Sequence, residues 1–335
     1  MKKNDYYQMI RGVCIISVII THILGQKNDL CINSFNVIIR TLINFCVGIF
    51  IFLSGYFVNV KKVESDNKKW IINRIIRLGV PFLIYSTLAA TISLIKNGDS
   101  IIKFLYHIIS GRSSVQLYYI LALLQLVIFT PWLIKIIKKN KTIVNILILS
   151  ITPIYYILII LLSDMENLYA LNFATLFTAW LLYYYIGLYL NVNKKKVNNT
   201  VNKIINKYSI GYHIILTIII TIINLYMLYK GMNYSFIVTH LRILNMIYIL
   251  SCIIIIVKLE NRVKNLRWLV NLGDLSFGIY FIHTYFITIY SHIFNINNYY
   301  INAFVATVFV TLISYFSIVI FKKISKNKFD KVLGF

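Results

Sequence analysis

The sequence predicts an all-α protein that crosses a membrane about ten times, with both termini on the cytoplasmic side. Three observations carry this reading. Of 335 residues, 59% are hydrophobic and 13% charged, and mean hydropathy is +0.76. A soluble domain carries about a quarter charged residues. So few charges do not cover that much apolar surface in water, which excludes the soluble domains that the length alone allows. Apolar runs long enough to span a bilayer recur along the chain. Lysine and arginine then collect in alternate loops. The three prolines and thirteen glycines are too few for collagen-like or low-complexity classes.

A helix needs about 20 mostly apolar residues to cross a hydrocarbon core of about 30 Å. Such runs lie at 10–25, 38–60, 78–95, 117–137, 142–162, 170–190, 209–229, 236–257, 269–290 and 301–321. The first is short when Arg11 stands at the interface. Lys2 and Lys3 before it imitate a signal peptide, but no small-x-small cleavage site follows and Arg11 and His22 lie inside it, so it reads as retained. The second carries Arg40. The third follows the basic stretch 61–77. The fourth and fifth share a short basic turn and should be antiparallel neighbours. Tyr183-Tyr184-Tyr185 in the sixth is expected as an aromatic belt. The eighth carries His240 and Arg242, two residues apart and so on different helix faces; spacing gives neither a role. The ninth holds Asp274, Ser276 and His283.

With the N-terminus inside, the inside segments hold 26 of the 34 Lys and Arg. The outside loops hold Lys27, Lys96, Lys103, Arg112 and Lys230, and the spans hold Arg11, Arg40 and Arg242. This alternation orients the chain. The net charge of +24 is thereby a topology signal, and no nucleic-acid partner is expected. Cys14, Cys46 and Cys252 fall in spans and Cys31 in a loop, which is no disulfide framework. No metal-ligand, Walker or dinucleotide spacing is present. Residues 1–335 read as one transmembrane domain with no appended soluble domain, so the chemistry belongs in or beside the membrane.

Ionisable residues within spans are costly and mark function by default. Arg11 and His22 lie eleven apart, within about 20° of one helix face and about 16 Å along the axis. Arg11 then sits near the cytoplasmic interface and His22 near mid-depth or beyond. Taken singly, Arg11 also reads as an interfacial anchor and His22 as a satisfied buried histidine. Arg74 and Arg77 are spaced i,i+3 and project side by side on a helix. Two adjacent guanidiniums suit phosphate, although snorkelling anchors share that pattern. Ser276 and His283, seven apart, share a face. Asp274 reads as a charge complementing a helix N-terminus.

These residues resemble acyltransferase family 3, a family of integral-membrane acyltransferases. Arg11-Gly12 and His22 are similar to its Arg-x10-His pattern. Phe50 to Phe57, with Ser54-Gly55-Tyr56, looks like its FxxSGY stretch. Arg74 and Arg77, followed by Pro81, match its RxxR motif. Gln116-Leu117-Tyr118-Tyr119-Ile120 through Pro131 looks like its LWFL-type span, with Tyr118 where Trp is usual. Leu272-Gly273, Ser276-Phe277, Tyr280 and His283 resemble its LGxxSYxxYxxH segment, with Phe277 in place of the usual Tyr. The resemblance covers all ten spans.

The resemblance implies transfer of an acyl group, commonly acetyl, from cytoplasmic acyl-CoA to a hydroxyl of a surface carbohydrate or its lipid-linked precursor. The implied setting is a bacterial cytoplasmic membrane, and a separate glycan-synthesis or acyl-accepting protein is a possible partner. Arg74 and Arg77 would grip CoA phosphate with Arg11 at the mouth. His22 would act either as general base or as a transiently acylated nucleophile. Ser54, Tyr56, Ser276 or His283 would contact the acceptor or the oxyanion. No metal is implied. The competing classes are a transporter or flippase of a lipid-linked saccharide or small solute, which predicts broken helices, a membrane-embedded polymerase, and a non-catalytic accessory subunit.

Overall fold

Capping residues and internal polar bonds, more than hydropathy, set the helix ends. The structure, a computed structural model, describes residues 4–25, 27–98, 100–162, 173–193, 208–260 and 262–335. Helix α1 (Asp5–Ile23) starts where the Asn4 side chain accepts from the Tyr6 N–H. Helices α2 (Leu30–Ile43) and α3 (Cys46–Tyr56) divide the second apolar run at Asn44 and Phe45. The run begins well before position 38 because Asn33, Asn36 and Arg40 dilute its hydropathy while bonding inward. Asn33 bonds the Lys27 backbone, and Asn36 donates to the Gly25 carbonyl. After the short α4 (Val60–Ser65), Asp66 caps α5 (Asn67–Asn97) by accepting from the Lys69 N–H at 2.9 Å. The basic stretch from Lys68 to Arg77 is therefore the first turns of a membrane helix, with Lys61 and Lys62 on α4. Arg74 and Arg77 stand on it as the spacing predicts.

Next come α6 (Ile101–Ser110), α7 (Tyr118–Lys139), α8 (Thr142–Leu162) and α9 (Leu181–Val192). They are followed by α10 (Ile210–Tyr229), α11 (Tyr234–Val238), α12 (Ile243–Leu259), α13 (Arg267–Asp274), α14 (Ser276–Ile293), α15 (Tyr299–Ile324) and α16 (Asp330–Leu333). Among the described residues every regular element is helical. Eight stretches are long and apolar enough to cross a membrane, or nine with α13–α14 taken as one span bent by 82°. The protein is an all-α, polytopic membrane protein.

The expected sixth span differs. Its described part is a 3-10 turn, Phe177–Ala179, followed by twelve-residue α9. Twelve residues rise about 18 Å, short of a bilayer core. The tyrosine triplet is no interfacial belt either: Tyr183, Tyr184 and Tyr185 are at most 1% exposed. Tyr184 bonds Thr130 at 2.7 Å, and Tyr185 donates to Asn145 at 2.6 Å. Hydropathy alone does not separate an aromatic that faces the interface from one that fills a core.

Helix α1 runs through the middle of the bundle, against α3, α13, α14 and α15. The crossing of α3 and α9 is backbone on backbone: a Cβ on Gly55 would meet the Tyr184 carbonyl, and one on Gly187 the Phe52 carbonyl. Small residues let membrane helices approach this closely. The outer helices turn apolar side chains outward, as with Ile214, Ile218 and Ile222 of α10, which is the surface lipid covers. The start of α1 is tied to the end of α12 through Glu260, which accepts from Tyr7 at 2.8 Å and Asn4 at 3.1 Å. Glu260→Ala is expected to destabilise the protein by about 1–3 kcal/mol, the loss of charged hydrogen bonds, read as a lower unfolding midpoint in detergent.

Candidate active site

At one end of α1 lies a cavity of about 360 Å³. Arg11 reaches it from α1, Arg74 and Arg77 from α5, and Asp274 and Ser276 from the α13–α14 bend. Three guanidiniums and one carboxylate give it a positive balance. Arg11 bonds Gln8 at 3.4 Å and lies 5.5 Å from the Phe57 ring, and Arg74 lies 5.7 Å from the Trp70 ring. These stacked, planar donors suit phosphate, which guanidinium pairs bind in a bidentate way. The α1–α13 crossing holds the walls together. A Cβ on Gly12 would land on the Leu269 carbonyl, and one on Gly273 on the Gln8 carbonyl.

The cavity also takes in Ser54, Tyr119, Tyr184 and Tyr280. Ser54 donates to the Phe50 carbonyl at 2.8 Å and Ser276 to the Gly273 carbonyl at 2.7 Å. Both hydroxyl protons are thus committed to backbone, and neither serves an oxyanion in this conformation. Tyr56 is buried beside Tyr7, ring centroids 5.1 Å apart, and does not line the cavity. Asp274 ends α13 just before the first turn of α14, where a carboxylate suits the positive end of the helix.

His22 and His283 lie elsewhere. His22 stands in the last turn of α1, its ring 5.2 Å from that of His283 on α14. The two helices therefore run side by side, each with a residue in the cavity and a histidine farther along. Tyr280 stands between: it lines the cavity, its ring is 6.1 Å from His283, and its hydroxyl donates to the Gln116 carbonyl.

Arg40, which spacing left without a role, donates to the Thr21 carbonyl at 2.9 Å and the Leu24 carbonyl at 3.4 Å. A cation on the last carbonyls of a helix is stabilising, and here it fixes the turn that carries His22. The other unassigned pair falls in the break between α11 and α12, which is why two residues at i,i+2 both point inward. His240 donates to the Asn44 carbonyl at 3.2 Å beside Trp180, and Arg242 bonds Asn224 and the Ile237 carbonyl.

The family model described as an acyltransferase domain matches residues 4–322. The chain belongs to acyltransferase family 3. No curated protein and no solved structure matched it. Membership makes it a membrane acyltransferase, and the described geometry gives family 3 positions physical content. Gly12 and Gly273 set a helix crossing, Arg11, Arg74 and Arg77 converge, and His22 and His283 meet. Sequence reasoning missed Gln8, Tyr119, Tyr184 and the bend at Leu275. Gln8 was findable, since it stands i,i+3 to Arg11. Tyr184 gave no signal of its own.

Proposed function

We propose that this family 3 member takes an acyl group, acetyl by the family's preference, from cytoplasmic acyl-CoA to a hydroxyl of a surface carbohydrate or its lipid-linked precursor, in a bacterial plasma membrane. The observation that carries the reading is the division of α1. Arg11 joins Arg74 and Arg77 at one end, and His22 waits about 16 Å farther along the same helix. CoA phosphates suit the arginine end. The pantetheine arm is long and thin, and the thioester it carries passes Tyr280 to reach His22. Neutral His22 takes the proton of the acceptor hydroxyl as that oxygen attacks the thioester carbon. The C–S bond breaks, and the CoA thiolate recovers the proton.

Lysine- and arginine-rich segments around the arginine end support a cytoplasmic assignment for it. Breaks at Asn44–Phe45, Thr239–Arg242 and Leu275 are features a transporter also uses. Here, however, His240 takes up the Asn44 carbonyl at one break, and Arg40 holds the turn of α1 that carries His22, which favours chemistry over transport. Transport consumes no acyl-CoA, so thioester turnover separates the two readings. In membranes holding the protein and its acceptor, Arg74→Ala is expected to raise the apparent KM for acetyl-CoA about tenfold or more, the loss of a charged hydrogen bond. Arg77, exposed at the cavity rim, should give a smaller increase. Unchanged KM values in both variants would remove the donor site.

A further inference from the structure

His283 carries a chemical constraint that the cavity residues lack. Its Nδ1 lies 3.1 Å from the Ile279 carbonyl, one turn back on its own helix. A carbonyl only accepts, so Nδ1 holds the ring proton and Nε2 of the neutral ring is a bare acceptor. That Nε2 is buried and has no hydrogen-bond partner, in a side chain 0% exposed. Buried acceptors normally have partners, and an exception asks for an explanation. With Nδ1 turned to its own helix, Nε2 faces outward from α14. Helix α1 packs there and brings the His22 ring to 5.2 Å. From that separation a turn of either ring brings facing nitrogens within hydrogen-bond reach. The same proton placement removes His283 as an oxyanion donor, since its buried Nε2 has nothing to donate.

We propose that His283 is a positioning residue for His22, with its Nε2 accepting the His22 ring N–H. This rests on the acyl-transfer reading above. The bond fixes the tautomer in which the other nitrogen of His22 is bare and turned to the acceptor hydroxyl. When the hydroxyl proton moves to His22 and the C–O bond forms, His283 bears part of the new charge. The proton returns to the CoA sulfur as the C–S bond breaks, and the pair is restored. The arrangement parallels the orienting partner of a catalytic histidine in hydrolases, with a neutral imidazole in place of a carboxylate.

The test is a double-mutant cycle in membranes supplied with acetyl-CoA and acceptor. His283→Phe should lower kcat about 100-fold with the KM for acetyl-CoA unchanged. His283→Gln, whose amide oxygen reaches the place of Nε2, should recover at least tenfold of that loss. On a His22→Ala background, His283→Phe should change nothing further, because residues acting as a unit are non-additive. Equal losses in the Phe and Gln variants, or a Phe effect that persists without His22, would overturn the pairing. Should His283→Phe fail to accumulate, His283→Gln is compared with His283→Asn, whose shorter amide ends near the place of Nδ1. A tenfold advantage for Gln supports the pairing and equality overturns it. Failure of the acyl-transfer reading looks different: wild-type membranes release no CoA, or His22→Ala matches wild type.

Discussion

Replacing His22 with alanine is expected to lower acyl transfer by about 10²–10⁴-fold, the usual contribution of a positioned base, with the KM for acetyl-CoA unchanged. The two effects separate because His22 does not line the cavity that holds Arg11, Arg74 and Arg77. It stands at the other end of α1, in a turn that Arg40 already holds by two carbonyls, so truncation leaves the helix end intact. Full activity at normal protein levels in His22→Ala would end the catalytic assignment. The same membranes distinguish its two chemical roles. With acyl-labelled acetyl-CoA and no acceptor, a nucleophilic His22 would hold label on wild-type protein and lose it in the alanine variant. A general base leaves wild-type protein unlabelled and still supports transfer when acceptor is added.

Which parts of this site the sequence exposes follows from how far each argument reaches along the chain. Arg74 and Arg77 are one turn apart on one helix, so their neighbourhood is a local fact. Arg11 and His22 also share a helix, and their opposite positions along α1 follow from rise per residue alone. The pairing of His22 with His283 joins residues 261 positions apart, and no helical period reports it. The breaks are equally hidden. Hydropathy averaged over about 20 residues passes smoothly across Asn44, Thr239 to Arg242 and Leu275, since the flanking residues are apolar. It also undercounts α2, whose polar side chains bond inward, and misplaces the Tyr183–Tyr185 triplet, which is buried, with the Tyr184 and Tyr185 hydroxyls bonded inside the bundle. The glycines are legible as motif letters only. Their purpose appears when the neighbouring backbone is known.

That purpose makes Gly273→Ala the second large effect. The added methyl would sit on the Gln8 carbonyl oxygen and close to the Gly12 nitrogen, both backbone atoms of α1. A flexible side chain turns aside, but backbone does not, so α13 has to move off α1. Overpacking of this kind costs about 1–3 kcal/mol. The functional loss should be larger in proportion. Helix α1 brings Gln8 and Arg11 to the cavity, while the segment after Gly273 brings Asp274 and Ser276. Prying the helices apart shifts one wall against the other, and a displacement of about 1 Å at a positioned site costs about 100-fold in rate. Transfer should therefore fall about that far, together with a lower unfolding midpoint. Gly79→Ala is the matching control. Gly79 is also within an apolar helix, α5, but a Cβ there meets nothing within 4 Å, so activity and unfolding midpoint should stay near wild type. Wild-type behaviour of Gly273→Ala would show that the α1–α13 crossing does not set the site. Equal losses in the two variants would mean that a factor common to both helices, and not close approach at the α1–α13 crossing, governs these glycines, since helix propensity by itself favours alanine at both.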